Sequence, residues 1–150
     1  HFAPYLNERV ATDEQQDAFE TIIDFLDGVN IVIPDDLKEY LDDAAKTIDL
    51  VDVSKKAAAS VAAAIQDPEQ YLKDNRELFE RYKEVKASDA YKNTPGYRLQ
   101  ELFAQLNREN GYNDVFIPAM RRLSSSYREY YEKLLKANEV FLKSYRGVRF

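Results

Sequence analysis

A chain of 150 residues with a net charge of −6, 45% hydrophobic and 32% charged, has the composition of one globular domain and not of a disordered segment. The absence of cysteine excludes disulfides, thiol catalysis and thiolate metal sites. The single histidine, His1, excludes Ser-His-Asp and Cys-His arrangements, and every histidine-containing zinc site except one built on the chain end.

Residues 1–11 lack periodicity, include Pro4, and read as an N-terminal arm; residues 12–150 read as a single helical domain. Thr12 stands three before Gln15, the spacing of a capping box, and Asp13 and Glu14 suit the positive end of the helix that follows. Phe19, Ile22, Ile23 and Leu26 recur at helical spacing, and Gly28 supplies a stop. Val29, Ile31 and Ile33 alternate. A lone strand has no partner for its backbone groups, so this stretch is expected to be an extended connector plugging apolar side chains into the core.

Pro34 and Asp35 open a second helix with the stripe Leu37, Tyr40, Leu41, Ala44, Ala45 and Ile48. A third is predicted from about Ser54 to Gln66. Its alanines favour helix and allow close neighbours, which places it at the centre of the bundle. Asp67-Pro68-Glu69-Gln70 is the clearest helix start, with Asp67 as cap and Pro68 in the first position. The helix it opens carries Tyr71, Leu72, Leu78, Phe79, Tyr82 and Val85. Residues 87–94 read as a polar loop. Thr94-Pro95 opens a fifth helix, ended by Asn110-Gly111.

From Phe116 onward the apolar positions are Phe116, Met120, Leu123, Tyr127, Tyr130, Leu134, Ala137 and Phe141, in steps alternating four and three. This predicts one long helix from about 118 to 145, roughly 40 Å in length, with Pro118 at its first position; a kinked helix starting at Asn113 is the alternative. Val115 and Phe116 are expected to tuck inward ahead of it. Ile117, Tyr131 and Tyr145 widen the apolar face, which suits burial within the domain better than an intermolecular coiled coil. Glu129–Lys133, Glu132–Lys136 and Glu139–Lys143 are spaced to pair on the exposed side. Ser124, Ser125 and Ser126 remove bulk beside the tyrosines, permitting either close helix contact or a concavity. The fold class expected is all-α, a compact bundle of five or six helices with a long C-terminal helix.

Charge is uneven: residues 1–75 carry 6 Lys/Arg and 17 Asp/Glu, and residues 76–150 carry 15 and 10. The acidic pairs Asp35/Asp36 and Asp42/Asp43 lack the pattern of an oxygen cage and read as solvated helix charge. The basic, aromatic ending KSYRGVRF follows a helix whose cations are interleaved with Glu129, Glu132 and Glu139. With the overall acidity, this argues against nucleic acid. No Walker loop or glycine-rich dinucleotide fingerprint occurs, and no apolar run reaches the roughly 18 residues of a membrane span. No catalytic activity, metal or cofactor is expected, and the chain is expected to be monomeric.

The function expected is that of a binding protein acting on a protein partner. Tyr and Arg concentrate in interface hot spots, and the surface candidates are Tyr91, Tyr97, Tyr112, Arg121, Arg122, Arg128 and Arg146. The alternative is a carrier of a small apolar ligand, a fatty acid or other lipid. Its expected pocket is lined by Phe19, Ile23, Leu41, Val61, Phe79, Phe103, Met120, Tyr127 and Tyr130. The start at His1 reads as a processed or excised end; secretion with a removed signal is the expectation, and a fragment of a longer protein the alternative.

Overall fold

The computed structural model describes residues 2–146. Among them are ten α-helices: α1 (Ala3–Leu6), α2 (Asp13–Gly28), α3 (Asp35–Thr47), α4 (Leu50–Gln66), α5 (Pro68–Asp74), α6 (Arg76–Ala87), α7 (Asp89–Lys92), α8 (Pro95–Glu109), α9 (Ile117–Leu123) and α10 (Ser125–Ser144). One π-helical segment, Tyr112–Phe116, precedes α9. The protein is therefore all-α, as its periodicity predicts. α2, α3, α4, α6, α8 and α10 are the long helices, and α10, at 20 residues, is the longest. The chain divides into two compact units. One comprises the residues up to Val32 with Gln100–Lys133; the other comprises Ile33–Leu99 with the residues from Leu134 onward.

In the first unit, Thr12 Oγ1 accepts from the Gln15 amide at 3.1 Å while Gln15 Oε1 accepts from the Thr12 amide at 3.2 Å, completing the capping box. Gln15 Nε2 also donates to the Leu123 carbonyl at 3.2 Å, so one side chain serves the start of α2 and the end of α9. α2 packs on α9, with Ala18 and Ile22 among the fully buried residues on one helix and Ala119 and Met120 on the other. An alanine on each helix permits close approach, and dense packing follows. The N-terminal segment is more than an arm. It contains α1, and Phe2, Tyr5, Leu6 and Val10 pack on this core. The Phe2 ring lies 5.0 Å from Phe116 and the Tyr5 ring 5.2 Å from Tyr127.

Gly111 adopts φ 75°, a left-handed conformation that glycine reaches without a Cβ penalty. The π-helical turn after it buries Phe116 and Ile117 but leaves Val115 exposed, contrary to expectation. Pro118 is the second residue of α9 and does not open a helix: the π-helical turn runs directly into it, and the Ile117 amide just before the proline donates to the Tyr112 carbonyl. The predicted single rod is interrupted at Ser124, which is extended at φ −124°, ψ 120°. Its Oγ then accepts from the Tyr127 amide at 3.0 Å and caps α10. A serine that can satisfy a free helix N–H makes such a break cheap, and periodicity alone does not reveal it. The stripe keeps its sense across the break: Phe116, Met120, Leu123, Tyr127 and Ala137 are buried, and Tyr130, Leu134 and Phe141 are half-buried. Glu132 pairs with Arg121 at 3.7 Å in place of the expected Lys136.

In the second unit, the expected stripe of α3 is largely open. Leu37 is buried, but Tyr40, Leu41 and Ile48 are exposed. α4 starts at Leu50, capped by Asp49, whose Oδ1 accepts from the Val51 and Asp52 amides. It is not a central helix. Every residue from Leu50 to Ala63 is exposed, and only Ala64 and Ile65 are half-buried. Alanine promotes helix but has too little side chain to demand burial. Residues 29–33 take no regular secondary structure, with Val29 extended at φ −78°, ψ 110°; Ile31 and Val32 face solvent instead of plugging into the core, and Val29 and Ile33 are half-buried.

Asp67 Oδ1 accepts from the Gln70 amide at 3.0 Å, with Pro68 at the first helical position. The predicted fourth helix divides at Asn75, whose Nδ2 donates to the Tyr71 carbonyl at 2.9 Å and ends α5. On α6, Leu78 and Val85 are exposed. The expected polar loop 87–94 holds the single-turn α7, capped by Ser88. Phe79 is the hub of this unit, with ring centroids 6.0 Å from Tyr71, 5.3 Å from Phe141 and 5.7 Å from Tyr145.

Candidate functional site

A recess of about 340 Å³ opens within the second unit. The C-terminal half of α4 supplies Ser60, Val61, Ala64 and Ile65, while α5 supplies Tyr71 and α6 supplies Phe79. α10 contributes Leu134, Ala137, Asn138 and Phe141. Each helix presents neighbours in helical register, so residues three or four apart share a wall. Tyr71, Phe79 and Phe141 form an aromatic side, Tyr71 and Phe141 standing 6.1 Å apart. Ala64 and Ala137 leave the volume that larger side chains would fill. The polar groups are few: Ser60 Oγ and Tyr71 Oη hydrogen-bond to each other, and Asn138 adds an amide. No lining side chain is charged. Apolar walls with a few convergent polar groups are the usual chemistry of a small-molecule pocket.

A second recess, about 440 Å³, is more polar, lined by Leu72, Lys73, Arg76, Glu80, Ser144 and Tyr145. Burial, then the Glu80 carboxylate, raises the Tyr145 phenol above its ordinary value, with Arg76 acting in the opposite sense.

Of the nine pocket residues expected from sequence, Val61 and Phe79 line the first recess. Met120 and Tyr127 are buried in the core of the first unit, and Phe19 and Tyr130 pack against that core; neighbours fill the space beside them. Ile23, Leu41 and Phe103 are exposed. Periodicity identifies an apolar face but not whether another side chain already fills the space beside it. The recess residues missed include Ser60, Tyr71, Leu134 and Asn138. One signal was available: Ser60 is the only hydroxyl in the tract from Ala57 to Ala64.

The surface candidates are spread over both units. Arg122, Arg128 and Arg146 are exposed, whereas Tyr91, Tyr97, Tyr112 and Arg121 are half-buried. Tyr112 stacks on Phe116 at 5.5 Å, and Arg121 lies over the Tyr131 ring at 5.4 Å. Arg122 pairs with Asp17 at 2.9 Å. Tyr91 meets Tyr97 edge-on at 5.7 Å and takes the Lys86 ammonium 4.9 Å from its ring. Burial alone would lower the Lys86 pKa, but hydrogen bonds with Tyr91 and Tyr82 raise it overall. The end of KSYRGVRF, including Arg149, lies outside the described residues.

Three of the four acids in the acidic pairs have side-chain partners. Asp36 accepts from the Arg98 guanidinium, which holds its carboxyl below the usual carboxylate value. Asp35 pairs with Lys38 and Asp43 with Lys46. Among the described residues, no three His, Cys, Asp or Glu side chains gather as a metal-binding group, and no helix is long and apolar enough to cross a membrane. No protein-family model, curated protein or solved structure matches this chain.

Proposed function

We propose that this protein is a non-enzymatic carrier that holds a small apolar ligand in the recess of its second unit. The observation behind this reading is the recess itself: about 340 Å³, with apolar walls on helices α4, α5, α6 and α10. That volume falls in the range of roughly 300–1,000 Å³ typical of ligand pockets. Each ligand methylene removed from water contributes about 0.8 kcal/mol, set against the freedom lost on association. Affinity should therefore rise with chain length until the recess is full.

Titration with N-phenyl-1-naphthylamine, an uncharged fluorophore that brightens in apolar surroundings, tests the reading. A saturable signal at micromolar protein is expected. Ala64→Phe should abolish it while leaving the thermal midpoint near that of the parent. No saturable signal from the parent protein would overturn the carrier reading.

A protein partner is the second reading, favoured by a different surface from the one expected. Leu50, Val51 and Val53, at the start of α4, are all about half exposed or more. Val51→Lys should then weaken capture of a partner without changing fluorophore binding.

A further inference from the structure

Resting on the carrier reading, we infer that the ligand is an uncharged single-chain amphiphile headed by a hydroxyl or carbonyl, and not a fatty-acid anion. The recess offers a carboxylate no compensating charge, because none of its lining side chains is ionisable to a cation. Ser60 and Asn138 are exposed, so a head held there keeps part of its water; an ionised head still gives up the rest of its solvation and meets no cation in return. The cations Lys73 and Arg76 line the other recess, together with Glu80.

The polar groups that are present suit a neutral head. Ser60 and Tyr71 hydrogen-bond to each other. Each hydroxyl has one donor and acceptor capacity to spare, and its hydrogen turns to suit its neighbours. The mutual bond uses one donor and leaves the other hydrogen free. The pair can donate to a carbonyl, or accept from an alcohol, without breaking its own bond. Asn138 offers both an N–H donor and a carbonyl acceptor. A plain hydrocarbon would fill the walls and leave these groups without the additional bond.

Displacement of N-phenyl-1-naphthylamine at pH 8 by four compounds built on a ten-carbon chain tests this. Decanol and methyl decanoate should displace it at concentrations at least about ten-fold below decanoate, the separation expected when an unpaired charge is partly buried. Decane should fall between them, because one hydrogen bond is worth only about 1 kcal/mol. In the double variant Ser60→Ala, Tyr71→Phe, with fluorophore affinity measured afresh for that variant, decanol should displace no better than decane. If the fluorophore binds saturably but decanoate competes as well as decanol, the neutral-head assignment is wrong and the carrier reading stands. Decanol unaffected by the double variant would remove the hydroxyl pair from the assignment. A fluorophore that never saturates takes both readings down.

Discussion

Met120 and Val61 sit on helices of similar apolar content, yet Met120 is 0% exposed and Val61 37%. Around Met120, small residues at 18 and 119 are combined with large ones, Ile22, Phe116, Leu123 and Tyr127, in one buried cluster. Around Val61, the small residues Ala64 and Ala137 line the same space. Both regions mix small and large side chains; in the first the large ones enter the space that the alanines leave, and in the second Tyr71, Phe79 and Phe141 border that space without filling it. Apolar content alone therefore does not separate a core from a pocket; the distribution of side-chain volume does.

The sharpest way to break this comparison is truncation in each region. Met120→Ala should lower stability by about 2–5 kcal/mol, through lost transfer energy and a cavity. Val61→Ala, at the edge of an existing recess, should cost less than about 1 kcal/mol. Urea unfolding measures both, and equal costs would mean that the second unit is as tightly filled as the first.

Helix caps give a smaller contrast. Ser124 is fully buried, caps α10, and donates from Oγ to Glu8 at 2.9 Å. Ser124→Ala should cost about 1–2 kcal/mol, because it frees the Tyr127 amide and leaves Glu8 one donor short. Asp49 caps α4 at an exposed end, so Asp49→Ala should fall near the lower limit of about 0.5 kcal/mol. Thermal midpoints of the two variants decide the order.

A further contrast, confined to alkaline pH, is a pH dependence. Burial raises the pKa values of the Tyr112, Tyr127 and Tyr130 phenols in the first unit above the ordinary tyrosine value of 10.0. The folded state then holds protons that the unfolded chain releases. This stabilisation is complete below about pH 10 and is lost as pH rises toward the folded-state values. For Tyr127 the loss should approach about 1.4 kcal/mol per pH unit above that point. Tyr127→Phe should flatten the decline, measured by urea unfolding between pH 8 and 11.

Local signals in the sequence carried far. The Thr12–Gln15 capping box, the Asp67-Pro68 start and the left-handed Gly111 are all legible because each depends on residues within one turn. The inward stripe from Phe116 to Phe141 is legible because its period is helical. The break at Ser124 is not, since a helix interior and a capped restart present the same spacing. The exposed position of α4 is not legible, because alanine reports helix propensity and says nothing of what lies opposite. Of the recess, only Val61 and Phe79 were anticipated. Its walls come from segments distant in the chain, and the emptiness between them is set by side chains such as Ala64 and Ala137 that look unremarkable one at a time.

The π-helical turn at Tyr112–Phe116 carries one more residue than an ordinary turn would. Loss of a single codon there would let the backbone relax to α-helix and rotate the following helix by about 100°. Met120 and Leu123, now sealed inside, would swing toward water, and the charged flank of Arg121 and Arg122 would swing in. Length is thus constrained at this bend, and change there must come by substitution. The exposed connector around Val32, 72% open to solvent, imposes no such phase and can absorb insertions.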